Sequence, residues 1–257
     1  MPGKPPISAC IITLNEAANI DLCLDSLTAF CDEIVVVDSG SSDGTRELAA
    51  AKGARVIEHA FAGFRTQKDF AVRAAKHDWI LFLDADERVT PELRASILES
   101  QARGFGDAAG YRFARATEYF GAFLRHGNAY PDRVLRLFDR RCGGFLGDRE
   151  IHEHVSVDGA VATLAGDLEH HAYRSLADQL SRLERYARMM AEHMRQSGKR
   201  AHLYKIALNP FWRFLRGYVL RAGFLDGWRG LIYAYVEANY VRQKFIKLWL
   251  LERGCKI

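Results

Sequence analysis

A chain of 257 residues with 49% hydrophobic content has the length for one large α/β domain, or a domain with an appendage. No apolar run approaches the roughly 18 residues of a spanning helix, and no apolar core precedes Ile7, so neither a transmembrane helix nor a secretory leader is expected. The net charge of +4 hides a division: residues 173–257 hold 17 Lys+Arg against 6 Asp+Glu, or +11, which leaves −7 for residues 1–172. The five cysteines form an odd set without a C-x-x-C pair, which suits reduced thiols better than a disulfide framework or a zinc site.

Residues 8–13 read as a first strand, with Asn15 placed to cap a following helix that carries Ile20, Leu24 and Leu27 at helical spacing. Residues 33–37 are a continuous apolar strand of the kind parallel sheets use, and they run into the turn-rich loop 38–45. A short strand at 55–58 and a helix at 66–77 follow, then the buried-type strand 79–83 and a helix opened by Thr90-Pro91-Glu92. Alternating strands and helices predict a mostly parallel sheet flanked by helices. Beyond Gly104 the pattern changes to strands at 111–116 and 133–138 and a hairpin region at 155–164. A long helix at 176–195 has Leu180, Leu183, Tyr186, Ala187, Met190 and Met194 as a packing stripe. Helical segments after Leu203 are expected to break at Pro210, Gly217, Gly223 and Gly227.

Chemistry gathers at strand ends, where open α/β sheets bind their ligands. Three ends are polar: 13–16, 38–43, and Asp84-Ala85-Asp86 followed by Glu87. Carboxylates beside a core strand are costly unless paired or metal-bound, and Asp-x-Asp offers the oxygen ligands of a hard divalent cation. The plainer alternatives are turn residues for 38–44 and capping for Asn15. Asp38 could accept a uracil N–H, and Gly40 and Gly44 would allow a tight turn there. No P-loop, dinucleotide fingerprint, nucleophile elbow or H-E-x-x-H spacing is present. His170-His171 is a possible ligand pair, but adjacent residues on a strand diverge, so this pair and His152-Glu153-His154 read mainly as hydrogen-bonding or capping groups, with metal contact as the lesser alternative.

Residues 11–16, 36–45 and 83–87, in this order and spacing, resemble glycosyltransferase family 2, the inverting GT-A enzymes with a Rossmann-like sheet. A weaker similarity through Tyr130-Pro131-Asp132, residues 136–138, Ile151-His152-Glu153 and residues 171–175 looks like the small bacterial subgroup that adds glucose to the inner core of lipopolysaccharide. The resemblance implies a GT-A catalytic domain over 1–172, with a nucleotide-sugar half at about 7–104 and an acceptor half at about 105–172. Residues 173–257 would form a basic, aromatic-rich helical appendage.

It implies that Thr13, Asn15, Glu16 and Asp38 line the nucleotide pocket, and that Asp84 holds the ribose or helps hold the metal. Asp86 would bind Mg2+ or Mn2+ on the diphosphate of a UDP-sugar, and Lys68 and Arg73 would reach phosphate unless they belong to a solvated helix face. Glu153 would be the base, with Glu150 and Asp132 as rivals. The expected reaction is a single inverting displacement onto a glycan or lipid-linked glycan, at the cytoplasmic side of a membrane. A capsule or exopolysaccharide transferase, a nucleotidyltransferase, a nucleic-acid binder and a non-catalytic nucleotide-sugar binder are the alternatives; no nucleic-acid motif is present. Residues 211–216 and 245–251 mix aromatic, aliphatic and cationic side chains, as interfacial helices do. The same mixture would also serve packing with the charges in water, so contact with an anionic membrane surface is expected as one of two readings.

Overall fold

The computed structural model describes residues 4–146, 154–173 and 175–257. The chain divides into two compact units, one of residues 1–115 and 133–170 and the other of residues 116–132 and 171–257. The segment 116–132, placed by sequence in the acceptor half, thus packs with the C-terminal helices.

The first unit alternates strand and helix: β1 (Ile7–Thr13), α1 (Ile20–Asp25), β2 (Glu33–Asp38), α2 (Thr45–Ala51), β3 (Arg55–Glu58), α3 (Phe64–Ala74) and β4 (Trp79–Asp84). β5 (Glu87–Val89), α4 (Pro91–Ala102), β6 (Ala108–Thr117), β7 (Asp132–Asp139), β8 (Gly143–Leu146), β9 (His154–Val157) and β10 (Ala160–His170) complete the strands. Eight of them form one mixed sheet in the order β3-β2-β1-β4-β7-β6-β10-β5. β3, β2, β1 and β4 run parallel, whereas β7 pairs antiparallel with β4, and β5 antiparallel with β10. The α/β expectation is met. The hairpin expected at 155–164 is not formed, because β9 pairs with β8 in a separate two-stranded sheet while β10 joins the main one.

The parallel strands are apolar on both faces because both faces are covered. Ile7, Ala9, Ile11, Val36, Leu81 and Leu83 belong to one buried cluster. Their neighbours Cys10, Val35, Val37, Ile80 and Phe82 belong to the other. Alternate residues on a strand point to opposite faces, so an unbroken apolar run signals a strand covered on both sides. α4 starts where the sequence places it: Thr90 Oγ1 accepts from Leu93 N at 3.2 Å, with Pro at the first helical position. Asn15 caps nothing. It takes a left-handed conformation (φ 56°), and α1 starts only at Ile20.

The second unit holds α5 (Leu176–Gln196), α6 (Leu203–Phe214) and α7 (Gly227–Glu252), with a wide helical turn at Leu215–Leu220 and a tight one at Gly223–Asp226 before α7. Pro210 lies inside α6 and does not end it. The buried face of α5 is Gln179, Ala187 and Ala191, at spacings of eight and four, while Leu180 and Tyr186 of the expected stripe are exposed. Leu183, Met190 and Met194 of that stripe are half-buried, and Met194 packs against the cluster of Ala191, Ala201 and Leu248. No described helix is long and apolar enough to cross a membrane.

Candidate active site

The chain passes from β1 outward to β2 and β3, then returns across β1 to form β4 on its other side. Strand order therefore reverses between β1 and β4, and the crevice outside their carboxyl ends is where such sheets bind ligands. Register aligns the ends, with Thr13 beside Asp38 and Ile12 beside Asp84. The three polar ends singled out from sequence are thus neighbours.

The first two are tied together by side chains. Backbone N–H groups of Asn15, Glu16 and Ala17 donate in turn to Ser41 Oγ (2.8 Å), Thr45 Oγ1 (2.9 Å) and Asp43 Oδ2 (3.0 Å). Asn15 Oδ1 returns the contact by accepting from Ser42 N at 2.9 Å. Asp38 is fully buried. Its Oδ1 accepts from Gly40 N (3.0 Å) and Ser41 N (2.7 Å), and its Oδ2 from Thr13 Oγ1 (2.8 Å) and Ser41 Oγ. Burial works against its ionised form, but the donors of Ser41, Thr13 and Gly40 prevail and hold its pKa below the ordinary aspartate value. A carboxylate offers about four lone-pair sites, and here chain donors take four. Asp38 acts in this structure as the pin of the 38–45 loop, and a base contact would have to displace one of those donors. Gly40 and Gly44 have φ of 95° and 89°, the conformation that the loop's turns require of them.

The third end is built around Glu87 and Arg136, to neither of which the sequence alone assigns a role. Glu87 is fully buried. Its Oε2 accepts from Asp84 N at 2.9 Å, closing the Asp84–Glu87 turn, and its Oε1 receives Arg136 Nη2 (2.9 Å) and Arg115 Nη1 (3.1 Å). The same Arg136 Nη2 reaches Asp84 Oδ2 at 2.7 Å, and Lys68 Nζ lies 3.7 Å from Asp84 Oδ1. Burial would raise the Asp84 pKa, but Arg136 and Lys68 hold it well below the carboxylate range. Asp84 thus already faces two cations, which disfavours a dication in direct contact with it.

Lys68 is buried over the rings of Phe82 and Phe145, 5.5 Å from each centroid, and is no part of a solvated face. Arg73 is exposed. Five residues on a helix amount to about 140° of rotation, so the two cannot face one crevice together, and the expected phosphate role of Arg73 is not supported. Gln67, fully buried one residue before Lys68, donates to Ser39 Oγ and His59 O at 3.0 Å each, bracing the loop after β2.

Among the described residues, Asp86 is the acid of the pair without a cationic side chain of its own. Burial and the charges of Asp84, Glu87 and Glu16 push its pKa up to about 7. Its Oδ2 faces His170 Nε2 at 3.6 Å. β10 delivers this histidine: His170 stands opposite Glu87 in the antiparallel β5–β10 pair, one residue beyond Asp86. Burial and the Arg115 charge lower the His170 pKa to about 4, so the imidazole is neutral at physiological pH. His171 diverges, as adjacent strand residues must, and pairs with Glu118.

An oxygen and a neutral imidazole nitrogen 3.6 Å apart are close enough to serve as two ligands of one ion at metal–ligand distances of about 2.0–2.2 Å. The described residues hold no group of three or more His, Cys, Asp or Glu able to cage a metal. Two protein ligands fit Mg2+ or Mn2+, which keep waters and substrate phosphate oxygens in their remaining positions. Glu150 and Glu153, the first two base candidates, lie outside the described residues, and Asp132, the first residue of β7, is grouped with the second unit whereas the rest of that strand belongs to the first.

Residues 8–164 match the family model for glycosyl transferase family 2. The chain is 33% identical over 254 residues to the lipopolysaccharide core biosynthesis glycosyltransferase LpsC of Rhizobium meliloti, covering 94% of this chain and 93% of that one. Among solved structures it resembles the mannosyltransferase PcManGT from Pyrobaculum calidifontis, in complex with GDP-Man and Mn2+, at TM-score 0.56 and 16% identity over 96% of this chain and 88% of that one. Glucosyl-3-phosphoglycerate synthase from Mycobacterium tuberculosis matches at TM-score 0.50 and 19% identity, over 76% of this chain and 81% of that one. These two likenesses are of fold, whereas the family model and the LpsC relation reach sequence. The chain belongs to glycosyltransferase family 2, built on the GT-A fold.

Proposed function

We propose that the protein transfers a sugar, with glucose as the expected one, from a UDP-sugar to a glycan of the lipopolysaccharide core with inversion at the anomeric carbon. The observation that carries this reading is the Asp86–His170 pair at the switch-point crevice, beside the laced loops 13–17 and 38–45. The near full-length relation to LpsC supports the acceptor class.

In this reading the two laced loops form the nucleotide wall, with Thr13, Asn15, Glu16 and Asp38 as its frame. Asp86 and His170 would hold Mg2+ or Mn2+, and Asp84 stays with Arg136 and Lys68 to keep the turn in place. The cation, when bound, neutralises the charge that grows on the departing diphosphate. Glu153 takes the proton of the acceptor hydroxyl, with Glu150 and Asp132 as the other candidates. The acceptor oxygen bonds to C1 as the C1–phosphate oxygen bond breaks, the electron pair leaves with UDP, and the proton ends on the carboxylate. An α-linked donor gives a β-glycoside.

A donor screen with purified protein tests the reading. UDP- and GDP-sugars are offered with Mg2+, Mn2+ or EDTA, with truncated core oligosaccharides as acceptors, and the product anomer is read by proton NMR. UDP-sugar turnover that is lost in EDTA and yields a β-product is expected. Turnover in EDTA, preference for GDP-sugars, or an α-product would each overturn the corresponding part.

A further inference from the structure

Twelve of the 23 exposed large apolar side chains among the described residues lie within residues 203–235, a segment of only 33 residues. That density is far above the scattered leucines and phenylalanines any surface shows. On α6 the exposed side chains Tyr204, Leu208, Phe211 and Trp212 recur at helical spacing, so they form one stripe rather than a random set. Trp228, Leu231 and Tyr235 do the same at the start of α7. The turns between them expose Leu220, Phe224 and Leu225.

Charge in the same segment has one sign. Residues 203–235 hold five Lys+Arg and a single acid, Asp226. Asp226 is turned inward, accepting from the backbone N–H groups of Arg125 and His126. Arg216 and Arg221 are exposed and make no ion pair among the described residues, and Arg229 lays its guanidinium over the exposed Trp228 ring at 4.5 Å. An apolar stripe edged by uncompensated arginines is complementary to one kind of surface: acyl chains at depth with anionic headgroups above them. A second copy is a poor occupant, because a twofold contact would set the cationic face against itself. Since no described helix can span a bilayer, the contact would lie in the interface plane.

We propose that the exposed face of α6, the turns at 215–226 and the first turns of α7 dock on a lipid bilayer carrying anionic headgroups. This inference goes beyond the transfer reaction and is independent of the donor crevice, so it is read without nucleotide.

The full chain is mixed with vesicles of phosphatidylcholine plus phosphatidylglycerol, or of phosphatidylcholine alone, at low and high salt, and sedimented. Binding to the anionic vesicles that weakens in high salt is expected, together with quenching of tryptophan fluorescence by brominated lipid. The Phe211→Ser/Trp212→Ser variant and, separately, the Arg216→Glu/Arg221→Glu variant should each lower the partition coefficient at least about tenfold. Unchanged thermal unfolding of both variants confirms that the substitutions act at the surface. No sedimentation of the parent with anionic vesicles at low salt, or equal binding by parent and variants, overturns the proposal. A dimer in light scattering that both variants dissociate, with no vesicle binding, assigns the face to self-association instead and equally overturns it.

Discussion

Nε2 of His170 stands 3.6 Å from Oδ2 of Asp86, although 84 residues of chain separate them. The β5–β10 register creates the meeting by setting His170 opposite Glu87. If the two are joint ligands, they should fail together. Asp86→Ala and His170→Ala should each weaken Mn2+ binding in the presence of UDP by about tenfold or more, the scale seen even for the outer partners of metal ligands. Calorimetry or Mn2+ EPR reads the affinity directly. Normal Mn2+ affinity in His170→Ala would remove the histidine from the site.

Arg136 binds Asp84 and Glu87 through one nitrogen and is itself buried, so its removal leaves buried Glu87 with Arg115 alone and half-buried Asp84 with Lys68 alone. Arg136→Met should lower stability by about 3–5 kcal/mol, the usual cost of breaking a buried pair from one side. Urea unfolding measures it. A loss below about 1 kcal/mol would mean that Arg115 and Lys68 suffice to hold the turn.

Asp38 organises the loop that faces Asn15, Glu16 and Ala17, so its effect on nucleotide binding should come with an effect on folding. Asp38→Ala is expected to raise the dissociation constant for UDP about tenfold or more and to cost about 1–3 kcal/mol, from buried donors left unpaired. Titration of UDP and thermal unfolding are read side by side. Tighter binding of GDP than of UDP by the parent protein would remove the uridine assignment of this loop.

The base is tested by removing basicity while keeping shape. Glu153→Gln should slow transfer by roughly 100-fold or more and leave UDP-sugar binding near its parent value. Should Glu150→Gln be the inactive variant and Glu153→Gln the active one, the role passes to Glu150.

Glu33 provides a pH test of stability away from the crevice. Burial opposes its ionised form, but the donors Lys76 N, Ser8 Oγ and Arg55 hold its pKa below the ordinary glutamate value. A depressed folded-state pKa stabilises the fold above the unfolded value, and that contribution is lost as pH falls through the folded value. Glu33→Gln should therefore be less stable than the parent at neutral pH. The gap should narrow in acid, below the unfolded glutamate pKa of about 4.3. A gap that stays constant from neutral pH into acid would show that the hydrogen bonds act without the charge.

Much of the first unit could be read from residue order, because the signals involved are short-range. An unbroken apolar run such as Ile34–Val37 or Trp79–Leu83 ending in acids already states a doubly covered strand with a polar end, and Thr90-Pro91 states a helix start. Helical spacing alone separates Arg73 from Lys68, since residues five apart on a helix do not share a face. Other features have no local signature. That His170 meets Asp86, and that Arg136 from β7 bridges Asp84 and Glu87, depends on which strands pair across the antiparallel half of the sheet. Pairing there is settled by competition among elements for the same buried surface, a property of the whole chain. The same holds for the long α6–α7 region. Its composition admitted both packing and membrane contact, and that Phe211, Trp212 and Trp228 are exposed rather than packed is known only from the structure, because burial is decided by what neighbouring elements leave uncovered.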